Sequence, residues 1–161
     1  MAKLQDIIQW CDQTLKSPEF KDYAPNGLQI EGKTEVRKIL AAVTASQDAI
    51  DAAIRENADL LLVHHGYFWK GEAYPITGMR GKRIKSLIQH DISLLAYHLP
   101  LDSHPSLGNN AAIADLLKLE RIEALDPSER HPIGNIGYLK QPMPVEEFKT
   151  FVSEKLKFDV T

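Results

Sequence analysis

Leu60-Leu61-Leu62-Val63-His64-His65-Gly66-Tyr67-Phe68-Trp69-Lys70-Gly71-Glu72 decides how this chain reads. An apolar run meets two adjacent histidines, then turns through glycine into three aromatics and a charged segment. A run of this length bounded by glycine reads as a strand buried on both faces. Open α/β sheets set their ligands outside the carboxyl ends of such strands, so His64 and His65 stand where a metal would sit.

The flanking sequence supplies the rest of a sheet. Ile39 to Val43 reads as a strand, and Ser46 as the N-cap of a helix from Gln47 to Glu56 that buries Ile50, Ala53 and Ile54. Past the histidines, a basic helix from Gly81 to His90 precedes a third strand from Ile92 to Tyr97. Strand and helix alternating in this way indicate right-handed crossovers and a parallel sheet. Upstream, Leu4, Ile7, Ile8, Cys11 and Leu15 share one face of a first helix, with Trp10 off that stripe. Pro25-Asn26-Gly27 marks a tight turn before a short strand, Leu28-Gln29-Ile30.

Downstream, Asn109 or Asn110 caps a helix carrying Ile113, Leu116 and Leu117 inward. The segment Asp126 to Asn135 holds two prolines and little periodicity, which marks a boundary. Residues 1–125 are therefore expected to form an α/β domain with a parallel-rich sheet and helices on both faces. Residues 126–161 are expected to begin a second α/β domain: a strand from Ile136 to Lys140, a helix from Pro144 to Leu156, and another strand opening at Phe158-Asp159-Val160.

Composition narrows the class. Of 161 residues, 43% are hydrophobic and 25% charged, as in an ordinary soluble domain. No apolar stretch approaches the ~18 residues of a membrane helix, and the first residues lack the core of a signal peptide. The single cysteine, Cys11, excludes an internal disulfide and an all-cysteine metal site, which suits a reducing, cytoplasmic setting. A net charge of -3 gives no general reason to expect a nucleic-acid partner.

In a parallel sheet three polar strand ends lie along one edge: Thr44-Ala45-Ser46, His64-His65, and His98-Leu99-Pro100-Leu101-Asp102-Ser103-His104. Imidazoles with a carboxylate suit Zn, Mn, Fe or Ni. Neighbours in a strand point to opposite faces, so His64 and His65 fit two metals better than one. His98 is a ligand or a partner that orients one, and His104 lies in a loop beside Pro105. Tyr67, Phe68 and Trp69 form either a stacking wall for a purine or pterin ring, or a cap on the core or a buried subunit contact. Arg80, Lys82, Arg83 and Lys85 read as a solvated helix face or a phosphate-steering patch, and His90 and His131 as structural or solvated.

Four motifs together carry a family resemblance: Asp22-Tyr23-Ala24-Pro25-Asn26-Gly27-Leu28-Gln29-Ile30-Glu31-Gly32; His64-His65-Gly66 with its aromatic tail; His98-Leu99-Pro100-Leu101-Asp102; and Leu107-Gly108-Asn109-Asn110. In this order and spacing, from the first helix to at least Leu119, the chain resembles the GTP cyclohydrolase 1 type 2 homologue family, also described as Ngg-interacting-factor-three-like. The resemblance implies an α/β subunit, a toroidal homohexamer and two divalent metal ions. It implies His64 and Asp102 on one metal and His65 on the other. It also implies a further His and Glu from a C-terminal stretch that this sequence does not include. A truncated member is therefore expected, with its metals depleted or held by fewer protein ligands.

The function so implied is a metal-dependent hydrolase of the GTP cyclohydrolase type, in which a metal-activated water attacks a purine nucleotide or similar substrate. His64, His65 and Asp102 would hold the metals, His98 or His104 would move protons, and Tyr67 or Trp69 would stack on the base. Two other readings share the same residues: a metal-binding, ring-forming scaffold without catalysis, and a dinuclear-metal phosphoesterase.

Overall fold

Amphipathic spacing near the N-terminus produces α1 (Leu4–Leu15), which follows a two-residue strand, β1 (Ala2–Lys3), and buries Leu4, Ile8 and Cys11. After a 3-10 turn at Ser17–Glu19, the chain forms β2 (Gly27–Ile30) and the short β3 (Glu35–Val36), which pairs with β1. There follow β4 (Ile39–Thr44), α2 (Gln47–Arg55), β5 (Leu60–His65), α3 (Gly78–Gln89) and β6 (Ser93–Ala96). This computed structural model describes residues 1–160, and its contacts divide them into a first unit, Met1–Pro100, and a second that begins at Leu101.

The first unit is built on a four-stranded sheet in the order β2-β6-β5-β4. β4, β5 and β6 run parallel, as the alternation of strand and helix predicts, while β2 lies antiparallel on β6. Register aligns Thr44 with His65 and Val63 with Ala96, so the polar strand ends do reach one edge together. Leu61 and Val63 of β5 and Leu94 and Ala96 of β6 pack with Ile50 and Ala53 of α2 and Ile84 and Leu87 of α3. Strand alternation turns Tyr97 to the other face, where its hydroxyl donates to Asp12 of α1 at 3.0 Å. Helices therefore cover both faces, and the sheet cannot slide without exposing one apolar set. Ser46 caps α2 as the sequence indicates, its Oγ accepting from the Ala49 amide at 3.2 Å. Trp10 is 62% exposed. At the other end of β5, Asp59 accepts from Lys33 Nζ at 2.8 Å and from the amides of Arg37 and Lys38.

The second unit holds α4 (Leu99–Ser103), which begins just before the division, then α5 (Asn109–Leu116), β7 (Glu120–Ala124), β8 (Asn135–Tyr138) and α6 (Val145–Leu156). The N-cap of α5 is Gly108 rather than Asn109 or Asn110. A Cβ there would strike the carbonyls of His104, Leu101 and Asp102, so this turn needs glycine. Asp126 to Asn135 is not a break in the chain's packing: β7 and β8 pair antiparallel across it. The Asp126 carboxylate organises that connection by accepting from the Ser128 amide at 3.0 Å. Phe158-Asp159-Val160 is not a strand. Lys157 takes a left-handed conformation, and the Phe158 amide returns to the Ser153 carbonyl, so this backbone closes α6 instead. No helix among the described residues is long and apolar enough to cross a membrane.

Candidate metal centre

The parallel register dictates where the imidazoles arrive. β5 ends on His64 and His65, and the chain leaving β6 passes Tyr97 to His98, with the Tyr97 amide bonded to the Val63 carbonyl at 3.0 Å. His64 Nδ1 donates to the Tyr97 carbonyl at 3.0 Å. A carbonyl can only accept, so this bond puts the His64 proton on Nδ1, and a metal at this ring would be met by Nε2. His65 Nδ1 lies 3.2 Å from Thr44 Oγ1, its in-register neighbour, and His98 Nδ1 lies 2.8 Å from Asp22 Oδ1. Each ring is thus held through Nδ1 by a group outside the cluster.

The three rings converge. Centroids of His64 and His65 are 4.4 Å apart, His64 and His98 5.0 Å, and His65 and His98 5.7 Å. One ligand atom from each lies within 4.8 Å of the others, and all three residues are half-buried. This differs from the divergence that strand alternation suggests. At the end of β5 each ring is swung by its own tether, His64 toward β6 and His65 toward β4. Two nitrogens on one zinc lie at most about 4.2 Å apart, so a spread of up to 4.8 Å admits one ion after slight contraction or two close ions. Three imidazoles with their second nitrogens anchored form a donor set that fits a later first-row divalent metal.

The turn after His65 roofs the cluster. Trp69 meets the His98 ring edge-on at 4.9 Å and the His65 ring at 5.9 Å, its Nε1 donating to the Gly66 carbonyl at 3.2 Å. Glu72 holds the turn by accepting from the Trp69 amide and from Arg80, and Phe68 takes a left-handed φ of 66°. Tyr67, by contrast, belongs to the core: it is buried, its hydroxyl donates to the Ala45 carbonyl at 2.7 Å, and burial pushes its pKa up to about 12. Of the two aromatics expected to stack on a substrate, Trp69 is the one beside the imidazoles. Asp102 and His104 lie in the second unit. Asp102 Oδ1 accepts from Asn109 Nδ2 at 2.8 Å, and His104 Nδ1 accepts from the amides of Ser106 and Leu107.

A reading of the sequence gives Asp22 and Asn26 no chemical role, Asn26 marking a turn and Asp22 only opening a family motif, yet they frame His98. The Asp22 side chain is 3% exposed. Its Oδ1 accepts from the Tyr23 amide at 2.5 Å and from His98; its Oδ2 accepts from Asn26 Nδ2 and the Leu99 amide, both at 2.9 Å. Burial works to raise the Asp22 pKa, but these bonds together outweigh it and hold the carboxyl below its ordinary value. Asn26 Oδ1 accepts from the His98 amide at 2.7 Å. The clue in the sequence is an acidic residue four positions before an asparagine in a Pro-Asn-Gly turn, too common a pattern to single out alone.

The sequence and fold of the chain match those of known proteins. The family described as Duf34/NIF3 (NGG1p interacting factor 3) matches residues 2–161. A Haemophilus influenzae protein named "GTP cyclohydrolase 1 type 2 homolog" is 52% identical over 152 residues, covering 94% of this chain and 60% of that protein. The chain thus spans about 60% of the length of such relatives. A solved structure titled "protein ybgI, unknown function" superposes with a TM-score of 0.91 at 44% identity, covering 98% of this chain and 62% of that one. Another, from Thermus thermophilus, gives a TM-score of 0.85 at 34% identity, with 98% and 63% covered.

Proposed function

Because the chain belongs to the Duf34/NIF3 family, we propose that it forms the histidine half of a metal-dependent hydrolase centre of the GTP cyclohydrolase type. The observation that supports this is the convergence of His64, His65 and His98 within 4.8 Å, each anchored through Nδ1. A divalent ion in such a cluster acidifies water and polarises the group under attack. His64 and His65 supply ligating nitrogens from one strand end. His98 stands with them as a third, a role its distance supports better than that of a detached proton shuttle. Asp102, with its carboxylate steadied by Asn109, is the ligand the family resemblance adds, and with it a second ion. Trp69 excludes water from one side and offers a face on which a purine stacks. In the GTP reaction, a first water would add at C8 of the base and open the imidazole ring to a formamide. A second water would hydrolyse that formamide to release formate and leave a free amine on the pyrimidine.

A formate-release assay with GTP on the metal-loaded chain, alone and with the remaining length of the relatives appended, tests the reaction. Formate formation that stops in His64→Ala and His65→Ala is the expected result. No turnover in either form removes the cyclohydrolase reading. A second reading, a metal-binding scaffold that assembles as a ring, draws support from exposed apolar side chains of the second unit, among them Val145 at 78% and Phe158 at 74%. A stable homo-oligomer without turnover favours it.

A further inference from the structure

We propose that Asp22 is a positioning residue for His98, holding the ring's proton on Nδ1 and so turning a lone pair at Nε2 toward His64 and His65. The Asp22 carboxylate is closely surrounded by polar groups. Its two oxygens meet four polar neighbours: the Tyr23 amide, His98 Nδ1, Asn26 Nδ2 and the Leu99 amide. Three of these are donors by chemistry or by their other bonds. The two amides cannot accept. Asn26 presents its NH2 because its Oδ1 is already taken by the His98 amide. An acceptor-only group in a niche that is 3% exposed satisfies all three and, by the same token, draws the imidazole proton onto Nδ1.

A turn-tightening role alone would not need a carboxylate facing the ring. The distinction becomes visible if one oxygen is replaced by NH2. Facing the Asn26 and Leu99 side, that NH2 meets two donors and leaves buried groups unpaired, which is costly. Facing His98, it meets one fixed donor, the Tyr23 amide, and one group able to turn acceptor by moving its proton to Nε2. The second arrangement sacrifices less, so Asp22→Asn is expected to invert the His98 tautomer and put a hydrogen where a lone pair had faced the cluster. Asn26→Ala removes a neighbour of the carboxylate but leaves the bond from Asp22 to His98.

The inference shares with the proposed metal site only the direction of His98 Nε2, and its first readout needs no metal. Long-range proton–nitrogen NMR of the 15N-labelled, metal-free chain at pH 8, with the ring assigned by its loss in His98→Gln, reports which nitrogen carries hydrogen. Nδ1-protonated His98 in the wild type and in Asn26→Ala, changing to Nε2-protonated in Asp22→Asn, is expected, with His64 unchanged in all three as the internal standard. Titration with Co2+ supplies the second readout: affinity falls about 10–100-fold in Asp22→Asn. A wild-type His98 protonated on Nε2 overturns the assignment even if the variants do not fold. So does an Asp22→Asn protein that melts lower but keeps the Nδ1 tautomer, since the role is then only structural. Wild-type protein that takes up no Co2+ yet shows the tautomer switch refutes the metal reading and leaves this one standing.

Discussion

Gly66→Ala probes the link between fold and site most sharply, because Gly66 is the residue at which β5 gives way to the roof over the imidazoles. A Cβ added there would overlap Gln29 Oε1 and come within 2.7 Å of both Gln29 Cδ and Ala96 Cβ. Ala96 lies in β6, within the central sheet, and cannot retreat. Gln29 can move only by releasing two bonds, from the Tyr67 amide to its Oε1 at 2.7 Å and from its Nε2 to the Pro25 carbonyl at 2.8 Å. Each bond contributes about 1 kcal/mol, and forcing a methyl into a packed site costs about 1–3 kcal/mol. Gly66→Ala should therefore destabilise the chain by about 3–5 kcal/mol, read as a lower urea midpoint at constant slope. Two comparisons isolate the cause. In a Gln29→Ala background the same substitution costs less, leaving mainly the contact with Ala96. Gly71→Ala meets nothing within 4 Å and pays only for its φ of 92°, about 1 kcal/mol. A Gly66→Ala protein within 0.5 kcal/mol of wild type would refute the close-packing argument.

Tyr67→Phe should lose about 1–2 kcal/mol by stranding the buried Ala45 carbonyl, while Co2+ affinity stays within twofold, as measured by urea unfolding and metal titration. Asp59 gives a pH signature: its bond from Lys33, aided by the Arg37 and Lys38 amides, lowers its folded pKa below the unfolded value of about 3.9. The stability it contributes is present above that value and lost as pH falls through the lower folded one, so urea midpoints between pH 7 and 3 should fall more steeply in wild type than in Asp59→Asn.

How far the sequence reveals this protein depends on which interaction controls each feature. The strands at Ile39, Leu60 and Ile92 and the cap at Ser46 follow from apolar runs and local chemistry, and the parallel pairing follows from their alternation with helices. The position of His64 and His65 at the sheet edge is legible for the same reason. Their convergence is not, because it depends on tethers from Thr44 and Tyr97, partners set by register between strands distant in the chain. Asp22 lies further from view, 76 residues from the ring it holds. The hairpin across Asp126–Asn135 was obscured by its prolines, which signal a turn without saying whether the flanking strands pair. Tyr67 and Trp69 look alike as neighbouring aromatics, and only the packing of the turn sends one into the core and the other over the imidazoles.

In the proposed centre, three imidazoles from two strand ends form one metal site. Visible-absorption titration of the chain with Co2+, beside His64→Ala, His65→Ala and His98→Ala, tests it most directly. Saturable binding that weakens at least tenfold in each variant is the predicted result. Wild-type protein that binds no Co2+, or a His98→Ala protein that binds it as tightly as wild type, would contradict it.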